Sequence, residues 1–251
     1  QLEDWQQAVS DARSKHYFLN YYTVRELCFL TDLLPCVDQP KEWGQVWPLL
    51  QCVDLSADEK VTRDKIKKAL KRDLTLLRSS SGEPDKEVKL LNDVGSVLGE
   101  LFEGVLPQVR PLEGLMEVKQ QLQGDLLIRS MQRKEQGIPI FVCSADEACK
   151  VTELVLSIYT RRERVPEAEE LLLCSSHTTL EEIELLLRRF FHARKHHRED
   201  RLYCVGNVHL LPYVTQCGTV EALRRMEEQF GFENASALVF ASGMPNQMLM
   251  N

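Results

Sequence analysis

The chain has 251 residues, 43% hydrophobic and 27% charged, with 12 glycines and 10 prolines. That balance excludes the disordered, collagenous and repeat-fibre classes, and the length suits one large domain or two small ones around a sizeable apolar core. A formal charge of -7 argues against nucleic-acid or anionic-membrane binding, and no apolar run approaches the roughly 20 residues that span a bilayer. The chain opens at Gln1 without a charged-then-apolar leader, so it is expected to be part of something longer.

The first half reads as helical. Trp5, Val9, Ala12, His16 and Leu19 recur at helical spacing. Thr23 then opens a second helix, with Glu26 three residues on as in a capping box, an apolar face of Leu27, Leu30 and Leu34, and Pro35 as its stop. A loop rich in proline and tryptophan is expected next, around Pro40, Trp43, Trp47 and Pro48. Ser56 and Glu59 make a second capping box, ahead of a basic amphipathic helix with Ile66, Leu70, Leu74 and Leu77 on one face. Residues 79–85 (SSSGEPD) read as a linker. Further helical runs are expected over 88–101 and 116–136, the latter closed by Gly137.

At Ile138 the texture changes. Residues 138–143 (IPIFVC), 170–174 (ELLLC), 202–205 (LYCV) and 237–241 (ALVFA) are short continuous apolar runs, separated by amphipathic helices near 146–162, 179–197 and 219–230. Continuous rather than alternating apolar strands are what a parallel sheet covered on both faces requires. The fold expected is α/β: a helical linker module over 1–137, with a sub-boundary at 79–85, then a mostly parallel, three-layer sheet over 138–251 with helices on both faces and no final strand.

Eight cysteines suggest a framework until their positions are read. Cys143, Cys174 and Cys204 each end an apolar run, the others are irregularly spaced, and no C-x-x-C occurs. Reduced thiols in a cytosolic setting follow, without a structural zinc site.

In an open parallel sheet, ligands sit beyond the carboxyl ends of the strands. After the first strand a phosphate loop would read G-x-x-x-x-G-K-[ST], because glycines admit backbone amides to phosphate and the hydroxyl holds magnesium. Here Lys150 keeps its place, but Ser144 and Cys149 replace the glycines and Val151 replaces the hydroxyl. Asp146 and Glu147 add negative charge where phosphates would lie. At ~4 Å such like charges repel by about 4 kcal/mol at an effective dielectric of ~20. Ser144 and Glu147 read more simply as a helix cap. After the third strand, where a nucleotide hydrolase keeps its acidic pair, stand Gly206 and Asn207. Lys150, Ser144 and Asn207 are the candidate nucleotide-contacting residues, with no catalytic residue and no metal ligand assigned. Ser242 follows the fourth strand and reads as a turn residue, with a nucleotide-sensing position as the alternative.

Three further groups invite a functional reading and have simpler ones. His177 beside Cys174, Ser175 and Ser176 lacks an orienting carboxylate for nucleophilic catalysis. His192 and His196 share the i, i+4 spacing of zinc sites, but Arg188, Arg189, Arg194, Lys195 and Arg198 make that helix end cationic, and a solvated C-terminal turn is expected. The basic stretches 65–72 and 188–198 read as solvated helix faces, with an acidic partner or RNA as the alternative. The aromatics Phe18, Tyr21, Tyr22 and Phe29 read as core or an inter-module contact.

The order of strands, displaced lysine and helices is that of an AAA+ ATPase module read as far as its fourth strand. Within it the strings ELLLCSSHTTLEEIELLLRRFF and RLYCVGNVHLLPY, with HYFLNYYTVRELCFL upstream, resemble the mysterin family of giant RING-type E3 ubiquitin ligases built around a ring of AAA+ modules. The resemblance implies a segment of a very large cytoplasmic protein, associated with lipid droplets, with ubiquitin-ligase and ATPase activities. It implies neighbouring AAA+ modules of the same chain as partners and the ubiquitin machinery reached through the parent. ATP, magnesium and zinc are implied only for other parts of that parent. This segment, with its altered loop, fits a degenerate, non-hydrolysing module with helical material before it. A stand-alone adaptor and an atypical nucleotide binder that uses Lys150 are the alternatives.

Overall fold

The computed structural model describes residues 2–34, 38–54, 57–77, 84–102, 129–131, 140–142, 151–160, 162, 164–233 and 235–243. The chain divides into two compact units, Gln1–Pro107 and Gln108–Asn251.

The first unit is helical. α1 (Leu2–Lys15) leads through a 3-10 turn (Tyr17–Tyr21) into α2 (Val24–Leu33). The expected capping box forms: Glu26 N–H donates to Thr23 Oγ1 at 3.4 Å, and Thr23 N–H donates to Glu26 Oε2 at 2.7 Å. Where a loop was expected, Pro40–Gln51 is a helix, α3. Pro40 suits a first turn, where its missing N–H is not needed. Trp43, Val46 and Leu50 share one face and are buried, and that burial outweighs the break that Pro48 introduces in the ladder. Trp47 stacks on Trp43 at 5.8 Å.

α4 (Glu59–Leu77) starts later than the Ser56 box would place it. Ser56 lies outside the described residues; Val61 N–H donates to Asp58 Oδ1 at 2.8 Å, so Asp58 supplies the cap. The Glu59 carboxylate turns instead to Trp43, accepting from Nε1 at 2.7 Å. α5 (Pro84–Phe102) takes up the end of the expected linker, Pro84 and Asp85 entering its first turn, while residues 79–83 lie outside the described residues.

α5 is the hub of this unit, packing against α1, α2, α4 and the 3-10 turn. Leu91, Val94, Leu98 and Leu101 recur at helical spacing and are buried in one core with Phe18, Leu19, Leu27 and Leu30. Gly95 lets the helix come close: a Cβ there would lie 2.5 Å from His16 Cγ.

The second unit is a five-stranded sheet in the order β1-β2-β5-β4-β3, comprising β1 (Arg129–Met131), β2 (Ile140–Val142), β3 (Leu171–Leu173), β4 (Leu202–Gly206) and β5 (Ala237–Ser242). The last four are mutually parallel, whereas β1 pairs antiparallel with β2. β1 replaces the helix expected at residues 129–131, and the rest of the expected run over 116–136 lies outside the described residues. A strand beside β2 satisfies that edge's backbone groups, which helical propensity in the segment does not.

The connections are α6 (Val151–Thr160), α7 (Leu180–His192) and α8 (Tyr213–Phe230). Strand alternation divides the core between the two faces. Leu202, Cys204, Val239 and Ala241 pack with Val151, Leu154 and Val155 of α6. Tyr203, Val205, Leu238 and Phe240 pack with Ile183, Leu186, Leu187 and Phe190 of α7 and with Ala222 and Met226 of α8. Helices therefore cover both faces, which is why β4 reads as an unbroken apolar run, buried at all five positions. This is the expected α/β, AAA-like architecture.

Two glycines of α5 make opposite predictions. Gly99 has nothing within 4 Å of an added Cβ, so Gly99→Ala should raise stability by about 0.5–1 kcal/mol through helix propensity. Gly95→Ala should lower it by about 1–2 kcal/mol, because His16 must move. Urea unfolding of the two variants should show midpoints displaced to opposite sides of the parent.

Candidate functional site

Parallel strands deliver their following loops to one edge of the sheet, so the candidate site lies where β2, β3, β4 and β5 end. Ser144 and Lys150 lie outside the described residues, as do Asp146, Glu147 and Cys149. Val151, at the hydroxyl position, opens α6 and is buried in the sheet core.

β4 ends at Gly206, where a Cβ would meet Leu173 Cδ2 at 2.7 Å and Val155 Cγ2 at 3.4 Å. Asn207 follows in the left-handed conformation, φ 59° and ψ 31°, and its carbonyl accepts from Leu210 N–H at 2.9 Å. Asparagine is among the few non-glycine residues that enter this region readily. Neither position carries a carboxylate. A 3-10 turn, Val208–Leu210, comes next.

β5 ends at Ser242, fully buried and paired in register with Val142. The following N–H, of Gly243, donates to Nδ1 of His209 at 2.9 Å. Burial holds the His209 imidazole below its ordinary pKa.

The loop after β3 is a hydrogen-bonded turn. Cys174 N–H donates to the Gly206 carbonyl at 2.9 Å. Ser175 N–H donates to Thr178 Oγ1 at 2.9 Å, and the backbone N–H of His177 donates to Ser175 Oγ at 3.2 Å. The His177 side chain is exposed, and burial pushes the Cys174 thiol up to about 12, so the thiolate a nucleophile requires is suppressed. The turn delivers the chain into α7, whose expected capping box forms: Thr179 N–H donates to Glu182 Oε2 at 2.7 Å and Glu182 N–H to Thr179 Oγ1 at 3.3 Å.

The end of α7 departs from the solvated turn expected there. His192 is buried, its Nδ1 bonded to the Arg188 carbonyl at 2.8 Å and its ring 4.4 Å from that of Phe230. Burial, with Lys195 and Arg198 nearby, lowers the His196 pKa to about 4. Arg188 is buried, Arg189 Nε donates to the Glu169 carbonyl at 3.3 Å, and Arg194 donates to the Glu233 carbonyl at 2.8 Å. Much of this stretch is therefore engaged within the fold. Of the aromatics, Phe18 and Tyr22 are core residues, whereas Phe29 is 38% exposed and lines a groove with Thr23, Arg25, Pro48 and Leu49.

Sequence reasoning missed a dense polar cluster among the described residues at the opposite edge, where β3, β4 and β5 begin. Glu170 is fully buried: Oε1 accepts from Arg164 Nη2 at 2.5 Å and from Leu202 N–H at 3.0 Å, and Oε2 accepts from Glu167 N–H at 2.8 Å. Arg198 meets Glu169 at 2.6 Å, and Arg201 reaches Glu169 at 3.4 Å and Glu170 at 3.6 Å. Tyr159 hydroxyl donates to the Leu202 carbonyl. Burial raises the Glu170 pKa, against the pull of the Glu167 N–H, Arg164, Arg201 and the Leu202 N–H. Two adjacent acids ahead of an apolar run, with arginines ahead of the next, were its only signal. Among the described residues no group of three or more His, Cys, Asp or Glu is placed to hold a metal, and no helix is long and apolar enough to cross a membrane.

Four parallel strands in this order with helices on both faces define the second unit as an AAA-like α/β module. Residues 139–250 match the family model described as RNF213 AAA domain. The chain is 28% identical over 206 residues to the E3 ubiquitin-protein ligase RNF213 of Mus musculus, an alignment covering 75% of this chain and 4% of that protein. The chain spans about 4% of the length of this curated relative.

If Asn207 serves its left-handed turn, Asn207→Gly should leave stability within about 0.5 kcal/mol, while Asn207→Val should lose about 1–2 kcal/mol. Equal losses in urea unfolding would instead assign the role to the carboxamide itself.

Proposed function

We propose that this chain is a structural, non-hydrolysing AAA-like segment of a giant E3 ubiquitin ligase, in which other modules bind and hydrolyse ATP and this one braces or transmits their motion. Its contacts are then neighbouring AAA+ modules of the same chain, and the ubiquitin machinery is reached through the parent. In this reading the parent is cytoplasmic and associates with lipid droplets, and its magnesium, ATP and zinc belong to other parts.

The end of β4 carries the reading. A magnesium nucleotide needs a carboxylate there to hold the ion and orient the attacking water. The donor set present, the glycine backbone of Gly206 and the carboxamide of Asn207, does not suit that task. The space beside Gly206 is taken by Leu173 and Val155, and Asn207 has a sufficient reason to be asparagine in its φ of 59°. A motion-transmitting element must instead be rigid, and the sheet core buried on both faces provides that. The adaptor alternative draws on the groove beside Phe29. The nucleotide-binding alternative draws on Lys150, which lies outside the described residues.

Titration with a fluorescent ATP analogue, with and without magnesium, separates these readings. The proposal expects no saturable binding in the micromolar range and no change in Lys150→Ala. Micromolar, magnesium-dependent binding that Lys150→Ala abolishes would establish the atypical nucleotide binder in its place. Removing the segment from the parent should uncouple ATPase activity from ligase function if it is a brace.

A further inference from the structure

At the carboxyl edge of the sheet one side chain makes a bond that neither strand pairing nor the function above requires. His209 sits in the 3-10 turn after Asn207, and this turn packs on β5. Its Nδ1 accepts from the N–H of Gly243 at 2.9 Å, joining residues 34 positions apart. A ring nitrogen that accepts a hydrogen bond carries no proton, so the imidazole is neutral with its hydrogen on Nε2.

The surroundings favour that form. β5 carries no ionisable side chain from Ala237 to Ser242, and the other residues of the turn, Val208 and Leu210, are apolar. Nothing on these elements compensates an imidazolium, and partial burial disfavours it further. The bond also joins two functionally suggestive points: the turn begun by Asn207, and the residue after buried Ser242.

We propose that neutral His209 is a latch, tying the end of β5 to the turn after β4 so that the carboxyl edge holds one arrangement without a ligand, and that protonation of Nδ1 releases it. The latch deepens the brace reading, on which its purpose rests, since a rigid module must fix these loops by its own bonds. Its existence rests on geometry alone. Protonation converts the acceptor into a second donor aimed at the Gly243 N–H, and two donors cannot share one hydrogen bond.

Amide exchange by NMR on the 251-residue chain tests this. At neutral pH the Gly243 amide should be protected, and His209→Ala should lower that protection about tenfold or more while the mid-strand amide of Val239 is unchanged. His209→Asn, which sets Oδ1 near the place of Nδ1, should keep most of it. The nitrogen shifts of His209 should show Nδ1 unprotonated. Lowering the pH to about 4.5 should release Gly243, after correction for intrinsic exchange, in the parent but not in His209→Asn. Should His209→Ala unfold the sheet, Val239 would lose protection too, and the nitrogen shifts with the pH comparison then decide. Unchanged Gly243 protection in a folded His209→Ala, or a protonated Nδ1 at neutral pH, overturns the latch. Neither result bears on nucleotide binding, so failure of the latch and failure of the brace reading stay distinguishable.

Discussion

A buried carboxylate organises the sheet. Glu170 immediately precedes β3, yet it accepts from the first N–H of β4 and from an arginine of the segment after α6, with Arg201 of the β4 entrance close by. Burying such a charge is costly, and the cost is offset only where its oxygens are fully engaged. Removing one member of a buried cluster of this kind typically costs about 3–5 kcal/mol, because the partners are left charged and unpaired. The arrangement therefore tolerates few alternatives: the starts of β3 and β4 and the turn after α6 take one relative position. Ser236, just before β5, donates its single hydroxyl proton between the carbonyls of Arg201 and Glu199 and ties β5 to the same point.

Strands fixed at their starts, with cores on both faces, present their ends in a fixed relation. The carboxyl edge is where an AAA-type module would do chemistry, and the described residues there are spent on structure. Asn207 makes a left-handed turn, the serine and threonine hydroxyls after β3 bond to local backbone, and His209 joins two loops. Among the described residues, ion pairs gather where β3 and β4 begin, and backbone-satisfying polar groups lie where β3, β4 and β5 end. The helical unit follows the same logic through different parts, with α5 contacting three helices and Gly95 admitting the His16 ring.

Much of the second unit was legible in its sequence because the relevant physics is local. Residues 202–205 and 237–241 are apolar at every position, a pattern that parallel strands covered on both faces require, and Thr179 with Glu182 reports a helix start within four residues. What escaped depended on partners distant in sequence or on competing local signals. The prolines of α3 suggested a loop, while the spacing of Trp43, Val46 and Leu50 that decides the matter is equally visible once weighed against them. The cap of α4 passed to Asp58, with Glu59 taken by a tryptophan 16 positions away. β1 is three residues long and exists through its pairing with β2. Glu170 and His209 look like ordinary polar residues until the strands between them and their partners are placed.

The central claim is that the module holds its form by its own bonds and takes no nucleotide at the carboxyl edge. Any ligand that binds the folded state and not the unfolded one raises the unfolding temperature, by about 2.7 kcal/mol of added stability at a hundredfold excess over its dissociation constant. Calorimetric unfolding of the 251-residue chain across rising concentrations of magnesium-ATP is therefore the most direct measurement. The account predicts an unfolding temperature that does not depend on ATP, and a saturating rise of several degrees with increasing ATP would contradict it.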